Sequence, residues 1–183
     1  EGNLLSLRRY AHAVHAGRVL AQRADLDALH AETHLAAVAC LVARRQRGWR
    51  YVYDMHGLVP EEAAGAGRSA FTTALSERWE SRVVAEADQV VVVSEGMRHY
   101  VASKYQVAPA RITVAPNGTS CPTATAHFGT PLRLVYGGVF AYWERVDMFL
   151  EVAGLLSDGG FEFHLIGDGP LRDVLLDQIN RHG

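Results

Sequence analysis

The sequence predicts an α/β fold in which two successive domains each contain a parallel sheet. Runs of β-forming residues alternate with amphipathic segments of ten or more residues along the chain, which is the pattern of βαβ units. The run at 89–93 is apolar and rich in valine, as is typical of a strand covered on both faces. Between 119 and 131 the composition shifts to Thr, Ser, Pro, Ala and Gly, which predicts a connecting segment between the domains.

The part of the chain before this segment is predicted to alternate strictly between strands and helices. Gly48 stands where a helix C-cap glycine is expected, and Ser94 stands where a helix N-cap is expected. The strand at 50–54 is predicted to enter a loop that runs through Pro60. The predicted helices are 4–22, 35–47, 69–85 and a segment from Ser94 to about 104, and the predicted strands are 26–30, 50–54, 89–93 and 112–114.

The part after the connecting segment repeats the alternation, with glycine-containing loops after its strands. Glycines permit a sharp turn off a strand, and Pro170 suits the first turn of a helix. Tight structural turns are the alternative interpretation of both glycine loops. The predicted strands are 132–136 and 161–166, and the predicted helices are 144–156 and 171–180.

Bulk properties exclude several classes of protein. The 183 residues suffice for about one and a half domains, and the chain opens in a helical pattern without Met, so we expect it to be part of something longer. A formal net charge of -2 gives no drive toward nucleic acid, and no apolar run is long enough for a membrane span. Cys40 and Cys121 lie in no metal-ligand spacing, which predicts reduced thiols in a cytoplasmic protein, with a disulfide as the less favoured alternative.

Three loops are predicted to follow strands, at 54–57, 136–138 and 167–170. In an open parallel sheet the ligand binds beyond the carboxyl ends of the strands, because backbone amides and helix N-termini converge there. Neither glycine loop spells the dinucleotide fingerprint or the phosphate-binding P-loop, which disfavours NAD-dependent dehydrogenases and P-loop NTPases.

Histidines follow two of the predicted strands. His56 stands two residues after Asp54 and directly before Gly57, so an imidazole, a carboxylate and a flexible backbone lie close in sequence. An ordinary surface histidine is the alternative. His30, Glu32 and His34 form an H-x-E-x-H pattern that differs from the zincin motif and falls in a predicted loop, so we expect contact with an acceptor substrate rather than a metal.

Taken in order, five segments resemble the retaining glycosyltransferases of family 4, which have the GT-B fold of two Rossmann-like domains. No one segment is decisive, but five in the family's order are much stronger evidence than any alone. The segments are Tyr53-Asp54-Met55-His56-Gly57 with Pro60-Glu61-Glu62, Trp79-Glu80 leading through Glu86-Ala87-Asp88 to Ser94, Ala115-Pro116-Asn117-Gly118, Gly137-Gly138 with Trp143 and Val146-Asp147, and Ile166-Gly167-Asp168-Gly169-Pro170.

The resemblance implies that residues 1–118 belong to an acceptor-binding domain, 119–131 to an interdomain linker and 132–183 to the first part of a nucleotide-sugar-binding domain, with both domains incomplete. It implies that the site lies between the domains and that His56 positions the donor sugar and stabilises charge as the bond to the diphosphate breaks. It implies no cofactor beyond a nucleoside-diphosphate sugar, and a glycan or lipid-linked acceptor. The residues implied to bind substrate are Asp54, Gly57, His30, Ser94, Asn117, Gly137, Gly138, Arg145, Gly167, Asp168 and Gly169.

The sequence departs from the family pattern on the donor side. Many members carry an Arg and a Lys facing the diphosphate, where this chain has Val139 and Glu144, and Arg145 is the candidate substitute. A pair of glutamates that contacts the donor comes later in family members than this chain reaches. The alternatives are therefore a non-catalytic binding or assembly module of the same fold, and a sugar-nucleotide epimerase or phosphorylase.

A basic segment holds Arg44, Arg45, Arg47 and Arg50. The interpretation we favour is a solvated helix end stabilised by the helix dipole. Because members of the resembled family often dock on anionic membranes, the alternative is peripheral contact with a membrane.

Overall fold

The structure is a computed structural model that describes residues 2–120, 129–157 and 159–182. The chain divides into two units, residues 1–119 and 120–183. Most of the predicted connecting segment, with Cys121, lies outside the described residues. Whether the units correspond to acceptor and donor domains stays a prediction.

The first unit is built on a four-stranded sheet whose strands all run parallel, in the order β1-β2-β3-β4. The predicted α/β class with parallel sheets is thereby confirmed. The strands are β1 (Ala28–Ala31), β2 (Arg50–Met55), β3 (Gln89–Val92) and β4 (Ile112–Val114).

Five helices accompany this sheet, and the polar residues before three of them cap the exposed amides. Thr33, Ser69 and Ser94 each accept a hydrogen bond from the backbone N–H three residues on, and Gly48 ends its helix in the left-handed conformation at a φ of 72°. The helices are α1 (Gly2–Leu20), α2 (His34–Arg47), α3 (Val59–Gly65), α4 (Ala70–Glu86) and α5 (Glu95–Tyr105).

The core of this unit lies between the sheet and its helices. Tyr51, Tyr53 and Met55 alternate along β2 and are at most 1% exposed, so one face of the strand is fully covered. Helix α1 packs closely on α2 at Gly17, where a Cβ atom would stand 2.4 Å from the Ala39 carbonyl oxygen. Glycine at this position therefore sets how closely the two helices approach.

The second unit contains one parallel pair of strands and two helices. Strand β5 (Leu132–Val139) pairs with β6 (Phe161–Asp168), α6 (Val146–Leu155) lies between them in sequence, and α7 (Arg172–His182) follows. A small core forms around Phe140, Val146, Leu171 and Leu175.

The predicted glycine loops of this unit are wrong in their boundaries. Gly137 and Gly138 belong to β5, and Gly167 and Asp168 belong to β6. The ladder continues because Gly138 pairs with Gly167, where a Cβ atom would stand only 1.9 Å from the Gly138 carbonyl oxygen. Because these glycines have no side chains, the two strands remain paired up to their ends.

Other boundaries differ less. Residues 59–65 form α3, although the predicted loop runs through Pro60. This proline lies in the first turn with two glutamates behind it, which is the usual composition of a helix start. His30 lies in β1 and His34 opens α2, so the H-x-E-x-H residues are not on one loop as predicted. The predicted helix at 144–156 begins as a 3₁₀ turn and becomes α-helical at Val146.

Within the described ranges, no helix is long and apolar enough to cross a membrane.

Candidate active site

Two histidines flank one carboxylate at the carboxyl edge of the first sheet. His30 is in β1, Asp54 is in the neighbouring β2, and His56 follows β2 directly. The Nε2 atom of His30 lies 3.5 Å from Asp54 Oδ2, and the Nε2 atom of His56 lies 3.6 Å from Asp54 Oδ1. We call these three residues the His-Asp-His cluster.

The exposure of the His-Asp-His cluster suits substrate binding. The imidazoles of His30 and His56 are 53% and 51% exposed, whereas the Asp54 side chain between them is only 21% exposed. The half-buried carboxylate faces one imidazole with each of its oxygens, so a single side chain lies between the two rings. The sheet thus presents two half-exposed imidazoles at the edge where parallel sheets bind ligands.

Gly57 lets a second carboxylate approach the backbone beside His56. A Cβ atom at Gly57 would stand 2.2 Å from Oε1 of Glu62, which comes from α3. Any larger residue at position 57 would therefore displace Glu62 or the loop that carries His56. Gly57 is predicted as a site residue for its flexible backbone, and the close contact with Glu62 gives it a steric role.

Helix α3 is held in place by a lysine from α5. The Lys104 ammonium contacts the Glu61 carboxylate and lies 2.7 Å from Glu77 Oε2, and the Tyr100 hydroxyl also donates to Glu61. Burial opposes ionisation of Glu61, but the hydrogen bonds from Lys104 and Tyr100 prevail and leave its pKa below the ordinary value. These contacts fix the helix that directly follows the His56 loop.

Two further predicted site residues lie at strand ends of the same unit. Ser94 follows β3, and its hydroxyl accepts a hydrogen bond from the Met97 N–H at 3.2 Å, so it caps α5. Asn117 is exposed in the segment after β4. Substrate contact by either residue stays a prediction.

A buried polar network lies behind the His-Asp-His cluster, and the sequence analysis missed it. Glu80 is 0% exposed, and its carboxylate contacts His34 Nδ1 and the Tyr53 hydroxyl, which lies 3.3 Å from Oε1 and 3.4 Å from Oε2. His34 Nε2 lies 2.8 Å from the Tyr10 hydroxyl, and Trp79 stacks on the Tyr10 ring. We call Tyr10, His34, Tyr53 and Glu80 the buried network.

The structure separates the three residues of the H-x-E-x-H pattern. His30 and Glu32 are exposed, whereas His34 is buried and paired with Glu80. Burial, together with the negative charge of Glu80, raises the pKa of Tyr10 and of Tyr53, so both hydroxyls stay protonated as hydrogen-bond donors.

No group of three or more potential ligands in the described part of the chain is arranged to hold a metal ion.

The basic segment is engaged in ion pairs. Arg44 Nη2 lies 2.9 Å from Asp88 Oδ1, and Arg45 pairs with Glu86. Hydrogen bonding from Arg45 holds the pKa of Glu86 below its ordinary value. The carboxylates compensate these two charges, which favours the interpretation as the end of a helix.

In the second unit, the glycine-rich strand ends form one tightly joined edge. The Phe140 N–H donates to the Asp168 carbonyl at 2.9 Å, and a Cβ atom at Gly169 would stand 2.6 Å from the Phe140 carbonyl oxygen. The Gly169 N–H donates to the Asp168 carboxylate at 2.8 Å. Gly167 and Gly169 are therefore required by the packing of the strand ends, whatever ligand binds there.

Arg145, the predicted substitute for the family's basic residues, already has a partner. Its guanidinium donates to both carboxylate oxygens of Asp147, with Nε 3.0 Å from Oδ1 and Nη2 3.0 Å from Oδ2. A diphosphate would have to compete with this carboxylate for Arg145. Arg172, at the start of α7, lies 3.9 Å from Asp168 and is a second cation at this edge that the sequence analysis overlooked.

Comparisons with known proteins place the first unit in a family. The model of a family described as Glycosyltransferase Family 4 matches residues 2–121, a range that includes the whole His-Asp-His cluster and the buried network. No curated protein matches this chain in sequence.

Two solved structures share the fold. A crystal structure of a mutant of S. aureus TarM, in complex with fondaparinux, α-GlcNAc-glycerol and UDP, superposes with a TM-score of 0.63 at 17% identity and covers 86% of this chain. A second crystal structure of TarM gives a TM-score of 0.61 at 17% identity over 85% of this chain. The chain spans 32% and 31% of the length of those two proteins. The predicted GT-B type of fold is confirmed by this similarity.

Proposed function

This chain belongs to Glycosyltransferase Family 4, and we propose that the protein transfers a sugar from a nucleoside-diphosphate sugar to a glycan or lipid-linked acceptor with retention of configuration. One observation carries the proposal. The His-Asp-His cluster places two half-exposed imidazoles around one carboxylate, at the edge of a parallel sheet where ligands bind.

The cluster supplies the groups that such a transfer needs. Cleavage of the bond between sugar and diphosphate develops positive charge on the sugar and negative charge on the leaving group, so preorganised dipoles and hydrogen bonds lower the barrier. We assign His56 to the donor sugar and His30 to the acceptor, with Asp54 orienting both rings. Because each ring faces a different oxygen of the carboxylate, one residue orients two groups.

The second unit would hold the donor. Its strand ends carry Gly137, Gly138 and Gly167, and a Cβ atom at Gly137 would meet nothing within 4 Å, which leaves the backbone there open to a diphosphate. Titratable groups at this edge include Asp168, Arg145 and Arg172. In TarM the crystallised complex contains UDP and a GlcNAc-bearing glycerol, which supports a nucleotide donor and a glycan acceptor for this protein as well.

A direct assay tests this function. The full-length protein is incubated with UDP-, GDP- and ADP-sugars and candidate acceptors, and release of the nucleoside diphosphate is measured together with the anomeric configuration of the product by NMR. We expect one donor class to be consumed with retention. Inversion of configuration, or a product that is an epimer of the donor, would contradict the proposal.

A non-catalytic binding module is the second candidate, because two features of the donor side favour it. Val139 and Glu144 stand where many family members carry basic residues, and Arg145 is already paired with Asp147. For such a module, calorimetry would detect binding of a nucleotide sugar while no donor is consumed. Consumption of the donor excludes this candidate.

A further inference from the structure

A carboxylate with no exposed surface requires an explanation. Glu80 is 0% exposed inside the first unit, where an ionised group is costly unless it is well partnered. Buried ion pairs often contribute no more stability than an apolar cluster of similar volume, so stability alone is a weak reason for one. The partners of Glu80 indicate a more specific role.

Both partners of Glu80 belong to the segments that carry the His-Asp-His cluster. Tyr53, whose hydroxyl donates to the carboxylate, directly precedes Asp54 on β2. Successive side chains of a strand point to opposite faces of the sheet. Tyr53 therefore points into the core, and Asp54 points to the opposite face. His34, whose Nδ1 contacts Glu80, opens α2 four residues after His30.

The hydrogen bonds of the network are mutually consistent. With its proton on Nδ1, His34 donates to Glu80, and its Nε2 accepts from the Tyr10 hydroxyl at 2.8 Å. Glu80 then accepts one hydrogen bond from His34, at the start of α2, and another from Tyr53 of β2. Their common anchor is Glu80, which belongs to α4.

We propose that Glu80 is a positioning residue that fixes His30 and His56 about Asp54 by holding the tips of β1 and β2 from beneath. The inference rests on the proposed function for its catalytic consequence. A shift of about 1 Å in a positioned group is enough to cost on the order of 100-fold in rate. Loss of the network therefore lowers kcat although all four of its members are buried.

The structure offers matched pairs of substitutions for the test. Tyr53→Phe removes one hydroxyl from the network and keeps the ring, whereas Tyr51→Phe, two residues earlier on the same buried face, removes a hydroxyl with no partner among the described residues. Glu80→Gln replaces the carboxylate with an amide of the same shape. Val83→Ala, on the same helix and also 0% exposed, destabilises the core and removes no polar group.

Two readouts separate positioning from stability. Steady-state kinetics of the full-length protein are measured below the melting temperature of every variant, and NMR records the imidazole resonances of His30 and His56, assigned by single substitution. We expect Tyr53→Phe and Glu80→Gln to lower kcat by about 10- to 100-fold with little change in KM, and to shift both sets of resonances. Tyr51→Phe and Val83→Ala leave kcat and the resonances unchanged.

The outcomes distinguish the two proposals. If the unsubstituted protein consumes no donor, the proposed function fails, and the imidazole resonances alone then decide whether Glu80 positions the histidines. If Glu80→Gln does not fold, the kcat values and imidazole resonances of Tyr53→Phe and Tyr51→Phe test the inference instead. Unchanged resonances in Tyr53→Phe, or equal losses of kcat in Tyr53→Phe and Val83→Ala, would overturn the inference.

Discussion

The two buried tyrosines of β2 give opposite expectations for the same chemical change. Tyr53 and Tyr51 are 1% and 0% exposed, and each loses only its hydroxyl on substitution by Phe. The Tyr53 hydroxyl donates to a buried carboxylate at 3.3 Å, whereas the Tyr51 hydroxyl has no partner among the described residues.

The magnitudes follow from these contacts. A hydrogen bond to a charged group contributes about 1.5–3 kcal/mol, and the long distance at Tyr53 places it at the lower end, so Tyr53→Phe is expected to cost roughly 1.5 kcal/mol. Removing an unpartnered buried hydroxyl relieves a desolvation penalty, so Tyr51→Phe is expected to be neutral or to stabilise by up to about 1 kcal/mol.

Urea denaturation of both variants, followed by circular dichroism, measures this difference. We expect the midpoint of Tyr53→Phe to fall below that of the unsubstituted protein, and the midpoint of Tyr51→Phe to equal or exceed it, with unchanged slopes. If both substitutions cost the same free energy, the hydroxyl of Tyr53 does not bind Glu80 and the reasoning about the buried network is refuted.

The remaining predictions concern packing and reactivity. Gly17→Ala places a methyl group 2.4 Å from a carbonyl oxygen of the facing helix, so we expect a net loss of about 1–2 kcal/mol in unfolding free energy despite the better helix propensity of alanine. Gly154→Ala, in a helix with nothing within 4 Å, is expected to raise that free energy by up to about 1 kcal/mol, and thermal melts compare the two. Burial raises the pKa of the Cys40 thiol to about 11, so in a Cys121→Ser variant we expect slow alkylation at pH 8 that accelerates as pH rises toward 11; fast alkylation at pH 8 would contradict this. Gly167→Ala would force the paired strand ends apart, and loss of amide protection along β6 in hydrogen exchange would report it.

The sheet and helices of the first unit could largely be predicted from sequence, because their signals are local. The valine run became β3, and Gly48, Ser69 and Ser94 cap helices as their residue types indicate. Helix α3 was missed although Pro60 followed by two glutamates is a helix-start signal, because the short segment followed a predicted loop.

What sequence reasoning missed depends on contacts between distant residues. Glu80 and His34 are 46 positions apart, so no local pattern reveals that they pair, although a glutamate among apolar residues of a helix is a signal worth following. The glycine doublet at 137 and 138 was predicted as a loop because glycine usually interrupts strands. Only the facing Gly167 explains why the ladder continues.

The candidate site was predicted in part. Asp54, His56 and His30 were named from their positions after strands, and the structure brings these three together. Arg145 was named for its charge, which Asp147 already compensates. The charge of a side chain is evident from the sequence, but the residue that pairs with it is evident only from the folded structure.

The most direct test of the central claim is the rate of sugar transfer by His56→Ala in the full-length protein. His12→Ala, which removes an exposed histidine from α1, is the matched control. We expect His56→Ala to lose about 100-fold or more in kcat, because one preorganised hydrogen-bond donor is removed, and His12→Ala to show no change. Equal transfer rates for the two variants would contradict the assignment of the His-Asp-His cluster as the site of sugar transfer.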